Sequence, residues 1–289
     1  MRYAATIGTF DGVHLGHRHL LGQLKAEAMS RGMKPLAVTF TSHPLSAIRP
    51  EMIPPALSTP EERIADIQAL GIDTLALDFT QELRRLTAAE FLTMLRRRHQ
   101  VHVVMPGFNN RIGSDRIHGI DQYTDAGIRA GVEILPASSR RPGPEISSSA
   151  IRKAIALGDM NEAAEMLGHP YRITGTVVHG QAIGRTIGFP TANILTPADI
   201  AIPGPGVYAA DTADGHRAVV NIGTRPTVTD GNPAPATTIE AHLLDFNGNL
   251  YGSKLTLSFI RRLRDERKFS SIDDLKRAIQ ADTVSARLI

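Results

Sequence analysis

The chain has 289 residues, a formal net charge of +3 and no cysteine, which excludes disulfides, thiolate catalysis and cysteine-ligated zinc. It has no dense basic block with interleaved aromatics and no apolar run near the ~20 residues of a membrane helix, and its first residues, MRYAATIG, lack the apolar core of a secretory signal. We therefore expect two modest domains in the cytoplasm, with neither nucleic acid nor membrane as a partner.

The first half of the chain alternates between strand and helix patterns. Short apolar runs predict five strands: YAATI, PLAVTF, IDTLALD, VHVVM and VEIL. Helical spacing or a capping box predicts helices over residues 14–31, after Thr59, after Thr87 and over residues 120–130. This alternation predicts a parallel sheet with helices on both faces.

The second half of the chain is rich in short β-patterns separated by Gly, Pro and Asn turns. The predicted strands are YRITGTVV, GVYAADT, HRAVVNIG, TTIEAHLL and KLTLSFI. They predict an antiparallel barrel or sandwich, followed by an amphipathic helix over residues 271–287. Two short helices between residues 145 and 170 are expected to end the first domain, so we predict domains over residues 1–168 and 169–289.

A first candidate site lies in the stretch IGTFDGVHLGHRHL. Its glycine-rich turn joins a strand to a helix, and a helix N-terminus with exposed amides suits phosphate. His14 and His17 share one face of the first helical turn, where imidazoles can bind phosphate and offset charge on an α-phosphate. The alternative is that the glycines only form a turn and the histidines are exposed to solvent. This alternative is disfavoured by the presence of Gly8, Asp11 and Gly16 together with both histidines. Zinc is a weaker alternative, because no third ligand is evident.

A second candidate site lies in the stretch GTVVHGQAIGRTIGFPTANI. The glycines Gly180, Gly184 and Gly188 could wrap a nucleotide phosphate, although isolated glycines in a β-domain mostly mark bulges and turns. Thr191 and Asn193 add a hydroxyl and an amide carbonyl, which are hard oxygen ligands suited to Mg²⁺. The stretch therefore predicts a site for a nucleotide with magnesium.

GTFDGVHLGH closely resembles the HxGH signature of the nucleotidyltransferases, in particular the adenylyltransferase half of bacterial bifunctional riboflavin kinase/FAD synthetases. The segment ISSSAIR, residues 146–152, is similar to the ISST-x-x-R motif of the same family. The resemblance implies a Rossmann-like domain in which ATP contacts Gly8, Phe10, Asp11, His14, Gly16, His17, Ser147, Ser148 and Arg152. Arg152 would face the β- and γ-phosphates.

The second half resembles riboflavin kinases through three motifs: GFPTAN, TTIEAHLLDFNGNLYG and LRDERKF. The resemblance implies a β-barrel with a closing helix that phosphorylates riboflavin. It assigns Mg-ATP to Gly180, Gly184, Thr191 and Asn193, with Thr191 and Asn193 as the metal ligands. It also implies that Glu240 is the general base on the ribityl 5′-hydroxyl, and that Asn193, Glu240 and Arg264 contact the flavin.

One family motif, G-x-D-x-R-F-G, departs from its usual form and stands here as GFNNRIG. Asn109 replaces the aspartate and Ile112 the aromatic residue, while Arg111 is kept; Asn109 and Arg111 are expected to contact flavin. The resemblance as a whole implies conversion of riboflavin to FMN and then to FAD, with ATP as co-substrate, Mg²⁺ as cofactor and a monomer or weak homo-oligomer as the assembly.

Three alternatives remain open from the sequence. The first is a riboflavin kinase whose N-terminal domain is degenerate, which Asn109 and Ile112 motivate. The second is a regulator that binds flavin without turnover. The third, a cytidylyltransferase that merely shares HxGH, is disfavoured by the PTAN block.

Overall fold

The computed structural model describes residues 1–42, 52–107, 110–137, 143–144, 146–180, 183–229 and 232–289, without the side chains of 183, 225–229 and 232–236. The chain divides into two compact units. The first comprises Met1–Pro54 with Ser58–Ser147, and the second comprises Pro55–Leu57 with Ser148–Ile289.

The first unit is built on a parallel sheet, as the alternating pattern predicted. Its strands are β1 (Tyr3–Ile7), β2 (Lys34–Phe40), β3 (Asp73–Leu77), β4 (Val101–Val104) and β5 (Glu133–Ile134). Its helices are α1 (Leu15–Ser30), α2 (Pro60–Ala69), α3 (Gln81–Arg85), α4 (Ala88–His99) and α5 (Ile120–Ala130). Within the described ranges the strand order is β3-β2-β1-β4-β5, so the sheet grows outward from β1 on both sides.

Helices cover both faces of this sheet, which explains its continuous apolar strands. On β2, Leu36 and Val38 pack in one cluster with residues of α4 such as Leu92. The intervening Ala37 packs on the opposite face with Ile67 of α2. Successive side chains of a strand point to opposite faces, so both faces of β2 are buried. The carboxyl end of β1 thereby leads into α1 from the centre of the sheet.

The second unit is a closed antiparallel barrel, which resolves the choice between barrel and sandwich. Its strands are β6 (Tyr171–Val178), β7 (Ala192–Leu195), β8 (Gly206–Thr212), β9 (Arg217–Thr229), β10 (Asn232–Leu243) and β11 (Lys254–Arg264). Its helices are α6 (Ser148–Leu157), α7 (Met160–Leu167), α8 (Ile183–Thr186) and α9 (Ile272–Arg287). The strand order is β10-β7-β6-β11-β8-β9. The contacts group α6 and α7 with the barrel, and the predicted boundary at residues 168/169 stays a prediction.

The C-terminal helix α9 closes one side of the barrel. Ser271 caps its first turn by accepting a hydrogen bond from the backbone N–H of Asp274. Ala286 of α9 is buried in one apolar cluster with Val207 of β8 and Val219 of β9. The predicted amphipathic helix is therefore confirmed, and its apolar face packs on the outside of the barrel wall.

Candidate active sites

The loop between β1 and α1 holds an uncommon backbone conformation. Phe10 and Val13 have φ angles of 49° and 38°. These lie in the left-handed region of backbone conformation, which residues other than glycine rarely adopt. Both side chains are fully buried, and their packing holds the backbone in this conformation. The N–H of Gly12 donates to the Ser58 hydroxyl at 3.2 Å and fixes the turn between them. Strain of this kind is characteristic of ligand-binding loops.

The two histidines of the loop form one stacked pair. His14 caps α1, because its Nδ1 accepts a hydrogen bond from the backbone N–H of His17 at 3.3 Å. The two rings lie 3.6 Å apart between centroids, with 16° between their planes. A Cβ on Gly16 would lie 3.1 Å from the His14 ring, so glycine leaves room for the pair. Because Nδ1 of His14 accepts, the proton of the neutral ring is on Nε2, which is then a hydrogen-bond donor.

Both imidazoles are held in the neutral form. Burial lowers the pKa of His14 from its ordinary 6.5 to about 4. The pKa of His17 lies well below its ordinary range, first because of burial and then because a protonated His17 would be repelled by a protonated His14 and by Arg63. A neutral stacked pair beside a helix N-terminus can donate to an anion without first being protonated from solvent.

Arg63 is a buried cation near this pair that our sequence analysis missed. Its Nη2 donates to the carbonyl oxygen of Phe40 at 2.5 Å, and burial lowers its pKa while nearby Asp11 opposes that shift. The sequence feature that could have identified Arg63 as buried is its position four residues before Ile67, which places both on the buried face of α2. A charge on an otherwise apolar helix stripe points to an electrostatic role.

The histidine pair predicts a loss of stability in acid. The unfolded chain protonates these rings near pH 6.5, whereas the folded protein keeps them neutral to about pH 4 for His14. The free energy of unfolding is therefore expected to fall, by roughly 3 kcal/mol for His14, as the pH decreases through that window. Urea unfolding at neutral pH and at about pH 4 measures this loss. A variant with asparagine at both positions should show a shallower pH dependence, and parallel curves would contradict the prediction.

The other residues predicted to bind ATP in the first half are placed as follows. The N–H of Gly8 donates to the carbonyl of Val38 at 3.0 Å, at the carboxyl end of the sheet. Asp11 is buried. Ser147 directly precedes α6, and Ser148 is its first residue. Arg152 follows one turn later, belongs to the second compact unit, and donates from Nε to the carbonyl of Pro55 at 2.6 Å.

The predicted flavin residues of the first half are only partly described. Asn109 lies outside the described residues. Arg111 is exposed to solvent. Ile112 is 7% exposed and packs in the cluster that includes Phe91 of α4, so it contributes to the core of the first unit. An apolar side chain is therefore kept where the family has an aromatic one.

In the barrel, the strand register brings the second set of predicted residues together. Glu240 on β10 lies directly opposite Asn193 on β7 and, on its other side, opposite Asn221 on β9. Directly opposed residues of antiparallel strands share one face of the sheet. Ile239 and Ala241 are buried in the barrel, so Glu240 and Asn193 project from its outer face.

The glycines of this region allow close contacts that a side chain would block. A Cβ on Gly180 would lie 2.2 Å from Nδ2 of Asn193. A Cβ on Gly184 would lie 2.3 Å from the carbonyl oxygen of Phe189 and 3.3 Å from the hydroxyl of Thr191. The glycines predicted to wrap a phosphate therefore lie against the two predicted metal ligands, and Asn193 in turn lies opposite Glu240.

Comparison with known proteins matches the two halves of the chain to two different family models. Residues 1–150 match the family model described as FAD synthetase, and residues 167–289 match the one described as riboflavin kinase. A bifunctional riboflavin kinase/FMN adenylyltransferase from Pseudomonas fluorescens is 38% identical over 99% of this chain and 92% of its own length. The chain belongs to the bifunctional riboflavin kinase/FMN adenylyltransferase family.

A second curated relative and a solved structure are also similar to this chain. The Escherichia coli K12 protein is 36% identical over 98% of this chain and 91% of its own length. A crystal structure described as a macrolide-efflux protein from Streptococcus pneumoniae has a TM-score of 0.85 at 32% identity, covering 99% of this chain and 94% of that one. Among the described residues of this family member, no helix combines the length and apolarity needed to cross a membrane.

Arg264 in the riboflavin kinase half is largely engaged within the fold. Its Nε and Nη2 bind both carboxylate oxygens of the buried Asp282 on α9, at 2.8–3.1 Å. Its Nη1 donates to the carbonyl of Asp265 at 3.0 Å. The pair anchors α9 to the end of β11, and contact of Arg264 with flavin stays a prediction.

The contact between Gly180 and Asn193 predicts the effect of a single added methyl group. Gly180→Ala is expected to displace the Asn193 amide and lower riboflavin kinase activity by about 10²-fold, because small misplacements of positioning groups are costly. Steady-state FMN formation measures the loss. Gly22→Ala is the matched control, because a Cβ there meets nothing within 4 Å. Equal activity of the two variants would contradict the prediction.

Proposed function

We propose that this chain carries out both reactions of its family with the residues assembled above. The barrel transfers the γ-phosphoryl group of ATP to the ribityl 5′-hydroxyl of riboflavin, giving FMN and ADP. The first unit transfers AMP from a second ATP to FMN, giving FAD and pyrophosphate. The observation that supports the proposal is that each compact unit brings its own set of predicted site residues together: the histidine pair in one and the Gly180–Asn193–Glu240 group in the other.

In the adenylyl transfer, a phosphate oxygen of FMN attacks the α-phosphorus of ATP. The bond from that phosphorus to the bridging oxygen of the β-phosphate breaks, and pyrophosphate leaves. His14 donates from Nε2 to an oxygen of the α-phosphate, and His17 adds a second imidazole beside it. Gly8, Phe10, Asp11 and Gly16 shape the loop around the phosphates, and contact of ATP with Ser147, Ser148 and Arg152 stays a prediction. This direct displacement needs no covalent intermediate on the enzyme.

In the kinase reaction, the oxygen of the ribityl hydroxyl attacks the γ-phosphorus of ATP. Glu240 accepts the proton of that hydroxyl as the attack proceeds. The bond to the β-phosphate oxygen breaks, and ADP leaves. Asn193 lies directly opposite Glu240 on the neighbouring strand, so one side chain can position the hydroxyl while the other accepts its proton. Gly180 and Gly184 let the nucleotide phosphates approach the backbone. Phosphoryl transfer otherwise depends mainly on alignment and charge neutralisation.

Magnesium fits the residues of the barrel site. The Thr191 hydroxyl and the Asn193 carbonyl are hard oxygen donors, and the described residues contain no cluster of three His, Cys, Asp or Glu that could hold a metal. A site with few protein ligands suits Mg²⁺, which is usually bound through substrate phosphates as well. When bound, the ion would neutralise charge on the transferring phosphates.

A time course with riboflavin, ATP and Mg²⁺ tests the proposed function. Both FMN and FAD should form, with FAD rising after FMN and pyrophosphate released in equal amount to FAD. Product that stops at FMN would establish the monofunctional kinase instead, and flavin binding without turnover would establish the regulator. The cytoplasmic location and the monomeric or weakly associated state stay predictions, which cell fractionation and size-exclusion chromatography address.

A further inference from the structure

The loop that carries Thr191 is fastened to β10 by a histidine with no assigned role. His242 Nδ1 lies 2.8 Å from the carbonyl oxygen of Pro190, although the two residues are 52 positions apart in sequence. The ring of His242 also meets the ring of Phe189 edge-on, with centroids 5.5 Å apart and planes at 79°. One imidazole therefore contacts two consecutive residues directly before Thr191.

The chemistry of this contact fixes the position of one hydrogen on the His242 ring. A carbonyl oxygen can only accept, so Nδ1 of His242 carries the hydrogen and donates it to Pro190. That hydrogen is present in the corresponding neutral tautomer and in the protonated ring, and the bond persists in both. A backbone carbonyl is thus held by a donor on a neighbouring strand of the barrel.

The position of His242 connects the loop to the proposed base. His242 follows Glu240 by two residues and shares the outer face of β10 with it, because Ala241 between them is buried. The strand β7 begins at Ala192, so its ladder with β10 supports Asn193 but starts after Thr191. The contacts of His242 continue that support to the residues preceding Thr191.

We propose that His242 is a positioning residue of the riboflavin kinase reaction. It holds the Phe189–Pro190 segment against β10 and thereby sets the distance between Thr191, which contacts Mg-ATP, and Glu240, which accepts the proton. This inference rests on the roles given to Thr191 and Glu240 above. It assigns to the histidine of the TTIEAHLLDFNGNLYG motif the alignment of the nucleotide with the base.

Two substitutions separate positioning from mere stabilisation of the fold. His242→Ala removes both the donor and the ring, whereas His242→Asn places an amide N–H near the position of Nδ1. His216→Ala is the matched control, because His216 in the same unit also meets a phenylalanine edge-on, with its centroid 5.3 Å from that of Phe246. The kinase kcat and the KM for ATP and for riboflavin are measured with the full chain, together with thermal unfolding. Adenylyl transfer to supplied FMN serves as an internal standard.

His242→Ala is expected to lower kinase kcat/KM for ATP by about 10²-fold, with part of the loss in kcat, since alignment is what phosphoryl transfer requires. The KM for riboflavin and the adenylyl transfer should change by less than about twofold, and His242→Asn should recover most of the loss. His216→Ala should retain the kinase activity.

Three results would overturn the inference: wild-type kinetics in His242→Ala, an asparagine variant as impaired as the alanine variant, or an equal loss of both activities. Failure of the wild type to form FMN would instead refute the proposed function itself, so the two failures are distinguishable.

Discussion

Replacing Glu240 with glutamine is expected to reduce FMN formation by about 10²–10⁴-fold, the usual contribution of a general base. Glutamine keeps the size and hydrogen-bonding reach of the side chain, but its amide cannot take the proton of the ribityl hydroxyl. The carboxylate lies on a strand between Asn193 and Asn221, so the substitution should leave the barrel intact. Single-turnover phosphorylation of riboflavin measures the chemical step directly.

Two controls make the Glu240 result specific. Adenylyl transfer to supplied FMN should be unchanged in the same preparation, and Glu165→Gln on the exposed surface of α7 should retain both activities. Riboflavin binding should also be kept. FMN formation within about tenfold of the wild type would rule out Glu240 as the base, because even a modest base contributes more than that.

Replacing His14 with asparagine is expected to lower FAD formation from FMN by about 10²–10³-fold, comparable to the loss of one donor in an oxyanion site. Asparagine is among the best helix-capping residues, so its side-chain oxygen can replace Nδ1 as the acceptor of the His17 N–H. The variant therefore removes the Nε2–H donor while keeping the start of α1. Pyrophosphate release with FMN and ATP is the measurement.

The same helix supplies the control for the His14 variant. His19→Asn removes an imidazole of α1 that contacts Gln23, outside the stacked pair, and should retain adenylyl transfer. Kinase activity should be unaffected in both variants. Normal FAD formation by His14→Asn would show that His14 serves only as a helix cap.

Local sequence signals predicted most of the fold. The capping boxes at Thr59 and Thr87 place the starts of α2 and α4 correctly, because each is formed within four residues. The short helix α3 was missed, since a single cap at Thr80 and five residues give little periodicity. Strand β7 was also missed, because its four residues are stabilised by partners distant in sequence.

The residues of the candidate sites can likewise be divided into those that local motifs predict and those that depend on contacts between distant segments. The motifs contain His14, Thr191 and Glu240, so the residue types were evident from the sequence. The burial of Arg63 and the contact of His242 with Pro190 arise only when distant segments meet. For Arg63 the spacing of four residues from Ile67 was a usable sequence signal, whereas no periodicity predicts the contact of His242 with Pro190, which could be found only in the folded chain.

The left-handed backbone of Phe10 and Val13 has a consequence for the affinity of the proposed nucleotide site. Their buried side chains hold the turn in that shape, so part of the packing energy of the core maintains the conformation of the loop. In the proposed ATP site, such a loop loses little conformational entropy on binding, so more of the interaction energy is retained as affinity. In this fold, the packing of the hydrophobic core and the conformation of the proposed nucleotide-binding loop are therefore coupled.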